Sequence, residues 1–132
     1  MLVRMQLARI VIVDSAEEKA SMIVLREVGG EHAFPILIGL HEAYSIDRRI
    51  KGIKVSRPMT HDLLMSIISN MDGQIEHVVI SDLQDSTFYA KLVIRRNGEL
   101  IEVDSRPSDA LALSAGTDAP IYVEDSVLRE VC

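Results

Sequence analysis

Two glycine-containing turns, Gly29-Gly30 and Asn97-Gly98, constrain the fold of this chain more than any other feature of its sequence. Each dipeptide accepts the positive φ angles of a two-residue hairpin, and apolar runs rich in β-branched residues flank both. A strand and then a helix follow each turn, and the turns lie 97 − 29 = 68 residues apart. The sequence therefore predicts two β-β-β-α units, an order that favours an α+β fold over regular strand–helix alternation.

Hydrophobic periodicity and breaking residues give the extent of the individual elements. Alternating or β-branched apolar runs predict strands, and apolar residues at helical spacing predict helices. The polar segments 14–19 and 84–86 are predicted turns. The predicted strands span 2–13, 21–28, 32–38, 78–83, 87–95, 99–104 and 120–123, and the predicted helices span 39–51, 61–72, 107–116 and 124–131.

Two of these elements carry a prediction about their place in the fold. Pro35 cannot donate a hydrogen bond to a neighbouring strand, so the third strand is expected at a sheet edge or a bulge. The helix over 107–116 is apolar nearly all round and is expected in the core. Because neither unit can bury its apolar face alone, we expect a single domain over 1–132. In it, two similar sheets, mixed or antiparallel, would pack around shared helices.

Length and composition agree with one cytoplasmic domain. A chain of 132 residues with 48% hydrophobic residues can bury a core without disulfide or metal staples. No segment approaches the ~18 uncharged apolar residues of a membrane span, and the N-terminal sequence lacks the pattern of a signal peptide. The single cysteine, Cys132, cannot form an intrachain disulfide, which fits a reducing compartment.

The distribution of charge and the absent motifs exclude several classes of protein. A net charge of −6 argues against a general nucleic-acid coat protein, and 4% aromatic residues without tryptophan disfavour a stacking platform for single strands. Residues 47–57 nevertheless carry five basic groups against one acid. They could guide a phosphate backbone toward a site or simply be a solvated helix end. The sequence has no P-loop, no dinucleotide-binding glycine motif, no cysteine-based zinc site and no Gly-x-Ser-x-Gly elbow.

Polar residues that could take part in catalysis cluster at two predicted helix starts, 57–63 and 104–109. Each has an Arg-Pro pair and an aspartate in or near the first turn. Free N–H groups at a helix N-terminus attract phosphate, and an adjacent arginine can bind phosphate in a bidentate way. Carboxylates such as Asp104 and Asp109 could hold Mg²⁺ or Mn²⁺, which would activate water for attack on phosphorus. His61 could act as acid or base near neutral pH.

The same residues also fit an ordinary structural interpretation. Thr60 and Ser108 are common helix-cap residues, and Asp62 and Asp109 lie where the helix dipole favours acids. The two arginines could pair with these acids and fix the start of each helix. Both interpretations stay open on the residues alone.

Five segments, in order and at matching spacing, resemble the bifunctional nuclease family along nearly the whole chain. The resemblance implies an α/β-roll-like fold, a homo-oligomer with a dimer favoured, and cleavage of both DNA and RNA with little sequence preference. The segments are Phe34-Pro35-Ile36-Leu37-Ile38-Gly39 with Glu42-Ala43, Arg57-Pro58-Met59-Thr60-His61-Asp62-Leu63-Leu64, Asp85-Ser86-Thr87-Phe88-Tyr89-Ala90-Lys91-Leu92, Asp104-Ser105-Arg106-Pro107-Ser108-Asp109-Ala110 and Ala119-Pro120-Ile121-Tyr122-Val123.

Taken with the two helix starts, the resemblance implies a metal-dependent phosphodiesterase acting on nucleic acid, with no membrane partner. The predicted catalytic residues are His61, Asp62, Asp104 and Asp109. The predicted substrate-binding residues are Arg57, Thr60, Arg106 and Ser108. The predicted ligands of Mg²⁺ or Mn²⁺ are Asp104, Asp109 and Glu42.

Two alternatives to a nuclease remain on the sequence alone. One is a non-catalytic, homo-oligomeric scaffold that binds a small anion or a partner protein. The other is an enzyme acting on a smaller phosphoester such as a nucleotide. The sequence does not decide whether the two helix starts form one cleft, since their arginines lie 106 − 57 = 49 residues apart.

Overall fold

The computed structural model describes residues 1–13 and 20–132, so the predicted turn at 14–19 lies outside the described residues. The repeated β-β-β-α order confirms the predicted α+β class. Among the described residues, no helix has the length and apolar character needed to cross a membrane. The strands are β1 (Leu2–Val11), β2 (Ser21–Glu27), β3 (Ala33–Ile38), β4 (Gly73–Gln84), β5 (Thr87–Arg96), β6 (Glu99–Ser105) and β7 (Ile121–Glu124), and the helices are α1 (Leu40–Lys51), α2 (Thr60–Asn70), α3 (Pro107–Ser114) and α4 (Asp125–Val131).

Two hairpins close on two-residue turns, as their sequences require. Asp85-Ser86 has φ angles of 50° and 64°, and Asn97-Gly98 has φ angles of 50° and 79°, so all four residues adopt the left-handed region typical of type I′ turns. At Gly29-Gly30, only the first glycine has a positive φ. There the N–H of Glu27 donates to the His32 carbonyl at 2.8 Å and closes a longer loop, so the predicted two-residue turn is wrong.

The seven strands of the described residues lie in one sheet, in the order β3-β2-β1-β7-β4-β5-β6. The short strand β7 joins the two units because it pairs antiparallel with β1 and parallel with β4. The remaining neighbours are antiparallel, so the sheet is mixed, as predicted. The prediction of two separate sheets is wrong, because β7 bonds to both halves. Pro35 lies on β3, an edge strand, as its missing N–H requires.

The sheet curls strongly around its helices. Phe34 on β3 and Phe88 on β5 stack with ring centroids 5.7 Å apart. These strands are five places apart in the sheet, a separation of about 24 Å if the sheet were flat. The contact therefore brings the two ends of the sheet toward each other, in the manner of the expected α/β roll.

Helix α3 lies in the core, as predicted from its apolar composition. Seven of its eight residues are buried, and Asp109 in the first turn is the exception. Leu111 and Leu113 pack in one cluster with inward-facing strand residues such as Ile23 and Phe34. Burial of each large aliphatic side chain stabilises the fold by about 1.5–3 kcal/mol, so the position of α3 is firmly held.

Candidate active site

The starts of α2 and α3 meet beside α1 around a cleft of about 680 Å³, which we call the central cleft. This volume lies within the range of small-molecule sites and is large enough for a nucleotide. The two predicted helix starts therefore form one site, although they are far apart in sequence. The polar lining that matters below consists of Glu42, Ser45, Thr60, His61, Arg106 and Asp109.

Helix α1 contributes one wall of the central cleft. Its residues Ala43 and Ile46 are buried in the core. Glu42, Ser45 and Arg49 follow at spacings of three and four, which places them together on another face of the helix. That face is turned toward α2 and α3, where all three side chains find their partners.

An ion-pair network fastens the three helices together beside the central cleft. Asp62 on α2 accepts from Arg48 Nη2 at 2.9 Å and from Arg49 Nη1 at 2.6 Å. Arg49 Nε also donates to the Ala112 carbonyl of α3 at 2.7 Å, and so satisfies a carbonyl in the last turn of that helix. Gly116, with φ of 78°, allows the chain after α3 to pass close to α1, since a Cβ there would lie 2.8 Å from the Arg49 carbonyl oxygen.

The contacts of Asp62 are those of a residue that stabilises the fold. Its carboxylate also accepts the N–H of Met59, which is the N-cap of α2, so the prediction that Thr60 caps this helix is wrong. Burial by itself would raise the pKa of Asp62. The bond from Met59 and the two arginines outweigh that effect and lower the pKa below its ordinary value.

The centre of the cleft is a chain of three hydrogen-bonded side chains, one from each helix. His61 on α2 is buried, and its Nε2 lies 3.0 Å from Asp109 Oδ1 on α3. Its Nδ1 lies 2.6 Å from the Ser45 hydroxyl on α1. Both ring nitrogens are thus occupied, and the imidazole is fixed in one orientation within reach of the cleft.

Arg106 completes the arrangement around Asp109. Its Nε donates to Asp109 Oδ2 at 2.9 Å, and its Nη1 lies 3.3 Å from Glu42 Oε1. Burial acts to raise the pKa of Asp109, but the bonds from His61 and Arg106 prevail and lower it, so this carboxylate is ionised at neutral pH. The bond to Asp109 also raises the pKa of Arg106, whose side chain is 66% exposed and remains accessible to an anion.

Four of the predicted site residues do not line the central cleft, and Asp62, which belongs to the ion-pair network beside it, is one of them. Arg57 is exposed in the connection before α2. Ser108 is buried and lines a separate cleft against β3 and the β4–β5 turn. Asp104 is exposed on β6 opposite Lys91, whereas the next pair, Ser105 and the buried Ala90, belongs to the inner face. Successive strand residues alternate faces, so Asp104 projects from the outer face, away from Asp109.

The predicted metal ligands do not form a set. Asp104 lies on the opposite face of the sheet from Asp109, and both carboxylate oxygens of Asp109 already accept hydrogen bonds from protein. Glu42 is paired with Arg106. Within residues 1–13 and 20–132, no three His, Cys, Asp or Glu side chains are grouped so that they could hold a metal ion. The donors present thus do not fit the predicted Mg²⁺ or Mn²⁺ site.

Sequence reasoning missed Ser45, Arg48 and Arg49. The spacing on α1 could have indicated two of them. Ser45 and Arg49 lie three and seven positions after Glu42 and so share its face of the helix, and a site role for Glu42 therefore implies one for them. The arginines were counted only as part of a basic stretch. Their acidic partner, Asp62, lies on another helix and could not be paired with them from sequence.

Comparison with known proteins finds one matching family and several relatives. The sequence profile of the bifunctional nuclease domain matches residues 23–132, which include all of the central cleft. An uncharacterized protein of Mycobacterium tuberculosis is 41% identical over 109 residues, a match that covers 83% of this chain and 65% of the relative. The chain therefore spans somewhat less than two thirds of that relative.

Two rice proteins give more distant matches. Bifunctional nuclease 2 of Oryza sativa subsp. japonica is 29% identical over 120 residues, covering 88% of this chain and 36% of the plant protein. Bifunctional nuclease 1 of Oryza sativa subsp. indica is 24% identical over 113 residues, covering 83% of this chain and 34% of the plant protein. In both, the similarity is confined to about a third of the plant chain.

Proposed function

The chain belongs to the bifunctional nuclease domain family, and we propose that it hydrolyses phosphodiester bonds of DNA and RNA in the central cleft. The observation that carries the proposal is the convergence of His61, Asp109 and Arg106 in a cleft of nucleotide size. An oriented imidazole beside an exposed guanidinium combines proton transfer with phosphate binding, the two functions that phosphodiester hydrolysis needs.

Arg106 is the residue that we expect to bind the scissile phosphate. Its guanidinium is exposed and can form bidentate bonds, and its longer contact, to Glu42 at 3.3 Å, is the one a phosphate would replace. Thr60 lines the same cleft and can add a hydroxyl donor. The bond from Arg106 to Asp109 would persist and keep the guanidinium in place.

The basic residues beside the cleft support binding of a polyanion. Lys51, Lys54 and Arg57 are exposed where α1 leads into α2, and Ile53 within this stretch lines the central cleft. A local excess of positive charge would guide a nucleic acid backbone to this side of a molecule whose net charge is −6. Because such steering is screened by salt, cleavage is expected to slow as ionic strength rises.

His61 is the residue that we expect to transfer protons during hydrolysis. Asp109 fixes the ring and would stabilise its positive charge when it accepts a proton. The requirement for Mg²⁺ or Mn²⁺ stays a prediction, and the proton transfers assigned to His61 do not pass through a metal. An assay in Mg²⁺, in Mn²⁺ and in EDTA tests it directly.

The experiment is a cleavage assay on highly purified protein with single-stranded DNA and RNA, comparing wild type with Asp109→Asn. The amide would disturb the ring orientation and remove the charge beside it, so cleavage should fall about 10²–10⁴-fold. Circular dichroism would check that the variant is folded.

Asp104→Asn is the matched control for this assay. It makes the same chemical change in the same predicted motif, but on the outer face of the sheet, and should leave cleavage within about twofold of wild type. A folded Asp109→Asn protein with full activity would overturn the proposed site. Equal traces of cleavage in all three proteins would indicate a contaminating nuclease.

A non-catalytic anion-binding role is the second candidate. The carboxylates of Glu42 and Asp47 in the cleft favour it, because they repel a polyanion more strongly than a small anion held by Arg106. Binding of inorganic phosphate without cleavage of any oligonucleotide or nucleotide would support this role over hydrolysis.

A further inference from the structure

The hydroxyl of Ser45 has an environment that a purely structural serine does not need. It lies 2.6 Å from His61 Nδ1, and it lines the central cleft rather than the core. The three linked groups come from three different helices, and the whole chain of contacts is held by Arg106 at the far side of Asp109.

The direction of the hydrogen bonds follows from the acceptors. The ionised Asp109 can only accept, so His61 Nε2 must carry a hydrogen and donate it. In the neutral imidazole, Nδ1 is then the acceptor, and Ser45 must donate its hydroxyl hydrogen to it. A hydroxyl that donates to an imidazole, itself oriented by a carboxylate, is the arrangement that activates a nucleophile.

We propose that Ser45 is a nucleophile that forms a covalent nucleotidyl-serine intermediate, in which Ser45 Oγ replaces one of the two ester oxygens of the phosphodiester, an inference that rests on the proposed phosphodiester hydrolysis. In the first step, Ser45 Oγ bonds to phosphorus while its proton moves to His61 Nδ1. The bond from phosphorus to the leaving oxygen breaks, and His61 returns the proton to that oxygen. In the second step, water bonds to phosphorus and gives a proton to His61, the bond to Ser45 Oγ breaks, and the serine recovers its proton.

This assignment changes what is expected of a metal. The serine is activated by an imidazole already in place, and Arg106 is near enough to neutralise charge on the phosphate oxygens. Cleavage in the central cleft is therefore expected to persist in EDTA. Ser45 can be tested separately from nucleic acid cleavage, because an activated serine also reacts with small phosphorus electrophiles.

The test uses a fluorophosphonate ester as the probe. The serine oxygen forms a bond to phosphorus, the phosphorus–fluorine bond breaks, fluoride leaves, and the serine proton passes to His61. Wild-type protein should gain the mass of one adduct, and peptide mapping should place it on Ser45. If wild-type protein carries no adduct on Ser45, the proposal is overturned, whether or not other residues are labelled. This result needs no variant.

Variants distinguish a nucleophile from a serine that only positions His61. Ser45→Ala should abolish labelling, and Asp109→Asn should slow labelling of Ser45 at least about 10²-fold. Ser66→Ala is the matched control, because Ser66 is an exposed serine on α2, and it should label at the wild-type rate. A folded Asp109→Asn protein that labels Ser45 as fast as wild type would contradict the proposal.

The experiments give different results if the role of Ser45 as a nucleophile is wrong and if the proposed nuclease activity is wrong. If Ser45 is labelled but no oligonucleotide is cleaved, Ser45 is a nucleophile, and the proposed substrate is wrong. If purified protein cleaves oligonucleotides, and Ser45→Ala cleaves them equally fast, the nucleophile is wrong and the nuclease activity stands. A Ser45 peptide that carries the remaining nucleotide fragment through a phosphodiester bond, recovered after rapid acid quenching of a cleavage reaction, would support both.

Discussion

Two aspartates that look equivalent in the sequence have different roles at the level of single residues. Asp62 and Asp109 each lie in the first turn of a helix that follows an Arg-Pro pair. Asp62 accepts the N-cap N–H of its helix and two arginines, so the structural interpretation describes it well. Asp109 is directed instead at His61 and Arg106 in the cleft. The residue types alone could not separate the two, because their partners lie on other elements.

Asp62→Asn should lower the free energy of unfolding by about 1–3 kcal/mol at pH 7, because it leaves two mostly buried arginines without a counter-charge. The contribution of Asp62 to the free energy of unfolding should decrease in acid. The lowered pKa of Asp62 gives stability that is present above the unfolded value of 3.8 and is lost as pH falls through the folded value. Urea unfolding at pH 7, 5 and 3 should show a smaller acid loss in the variant than in wild type.

The control for this measurement is Asp85→Asn. Asp85 is exposed in a turn with φ of 50°, a conformation that asparagine accepts as readily as aspartate. We expect a change of less than about 0.5 kcal/mol at pH 7. If Asp62→Asn matched this control at every pH, the network of Asp62 with Arg48 and Arg49 would not contribute to stability.

At the scale of elements, local signals predicted strand and helix order but not every boundary. The prediction placed β4 at 78–83, whereas the strand runs over Gly73–Gln84. Pairing with β5 shifts register between Ile75 and His77 and again between Ile80 and Asp82. A bulge reverses the faces of the residues on either side of it, so the pattern that predicts a strand over 78–83 does not extend back across the first irregularity to Gly73. The residues of β4 that the prediction left out at its N-terminal end are held in the sheet by long-range pairing with β5.

Helix α3 offers a direct test of how the core holds the site. Leu111→Ala should lower the free energy of unfolding by about 2–5 kcal/mol, because it leaves a cavity under the element that carries Asp109. Leu37→Ala makes the same change at an edge-strand side chain that is 66% exposed, and should cost less than about 1 kcal/mol. Chemical unfolding of both variants gives the comparison. Equal losses would mean that burial of α3 does not govern stability.

The whole molecule depends on contacts that no local pattern predicts. The four-residue strand β7 unites two units that the sequence presents as separate sheets. The curl of that sheet around α3 then sets Asp109 beside His61, a residue 48 positions earlier in the chain. Both residues could be proposed as site residues from the sequence, because each lies in the first turn of a predicted helix that begins with several polar side chains. Their meeting, and the inclusion of Ser45, are consequences of tertiary packing.

One apolar surface bears on the predicted homo-oligomer. Met59, Leu63, Ile67 and Met71 follow along α2 at four-residue intervals, and each is about half exposed. Such spacing aligns them on one side of the helix. No charged residue occurs between Leu63 and Met71, so a second copy could approach this stripe without like-charge repulsion, despite a net charge of −6 per chain. The stripe is the surface on which we expect two copies to pack.

Ile67→Lys should therefore shift the protein toward the monomer, because each dimer would have to bury two unpaired ammonium groups. Sedimentation velocity over a range of protein concentrations would measure the shift. Leu37→Lys introduces the same charge at an exposed position on β3, away from α2, and should leave the association state unchanged. A wild-type protein that stays monomeric at all concentrations would refute the predicted oligomer. A dimer equally stable in both variants would place its interface elsewhere. The side chains proposed to act on the substrate, His61, Asp109 and Arg106, come from the same chain, so a folded Ile67→Lys monomer should retain the cleavage activity.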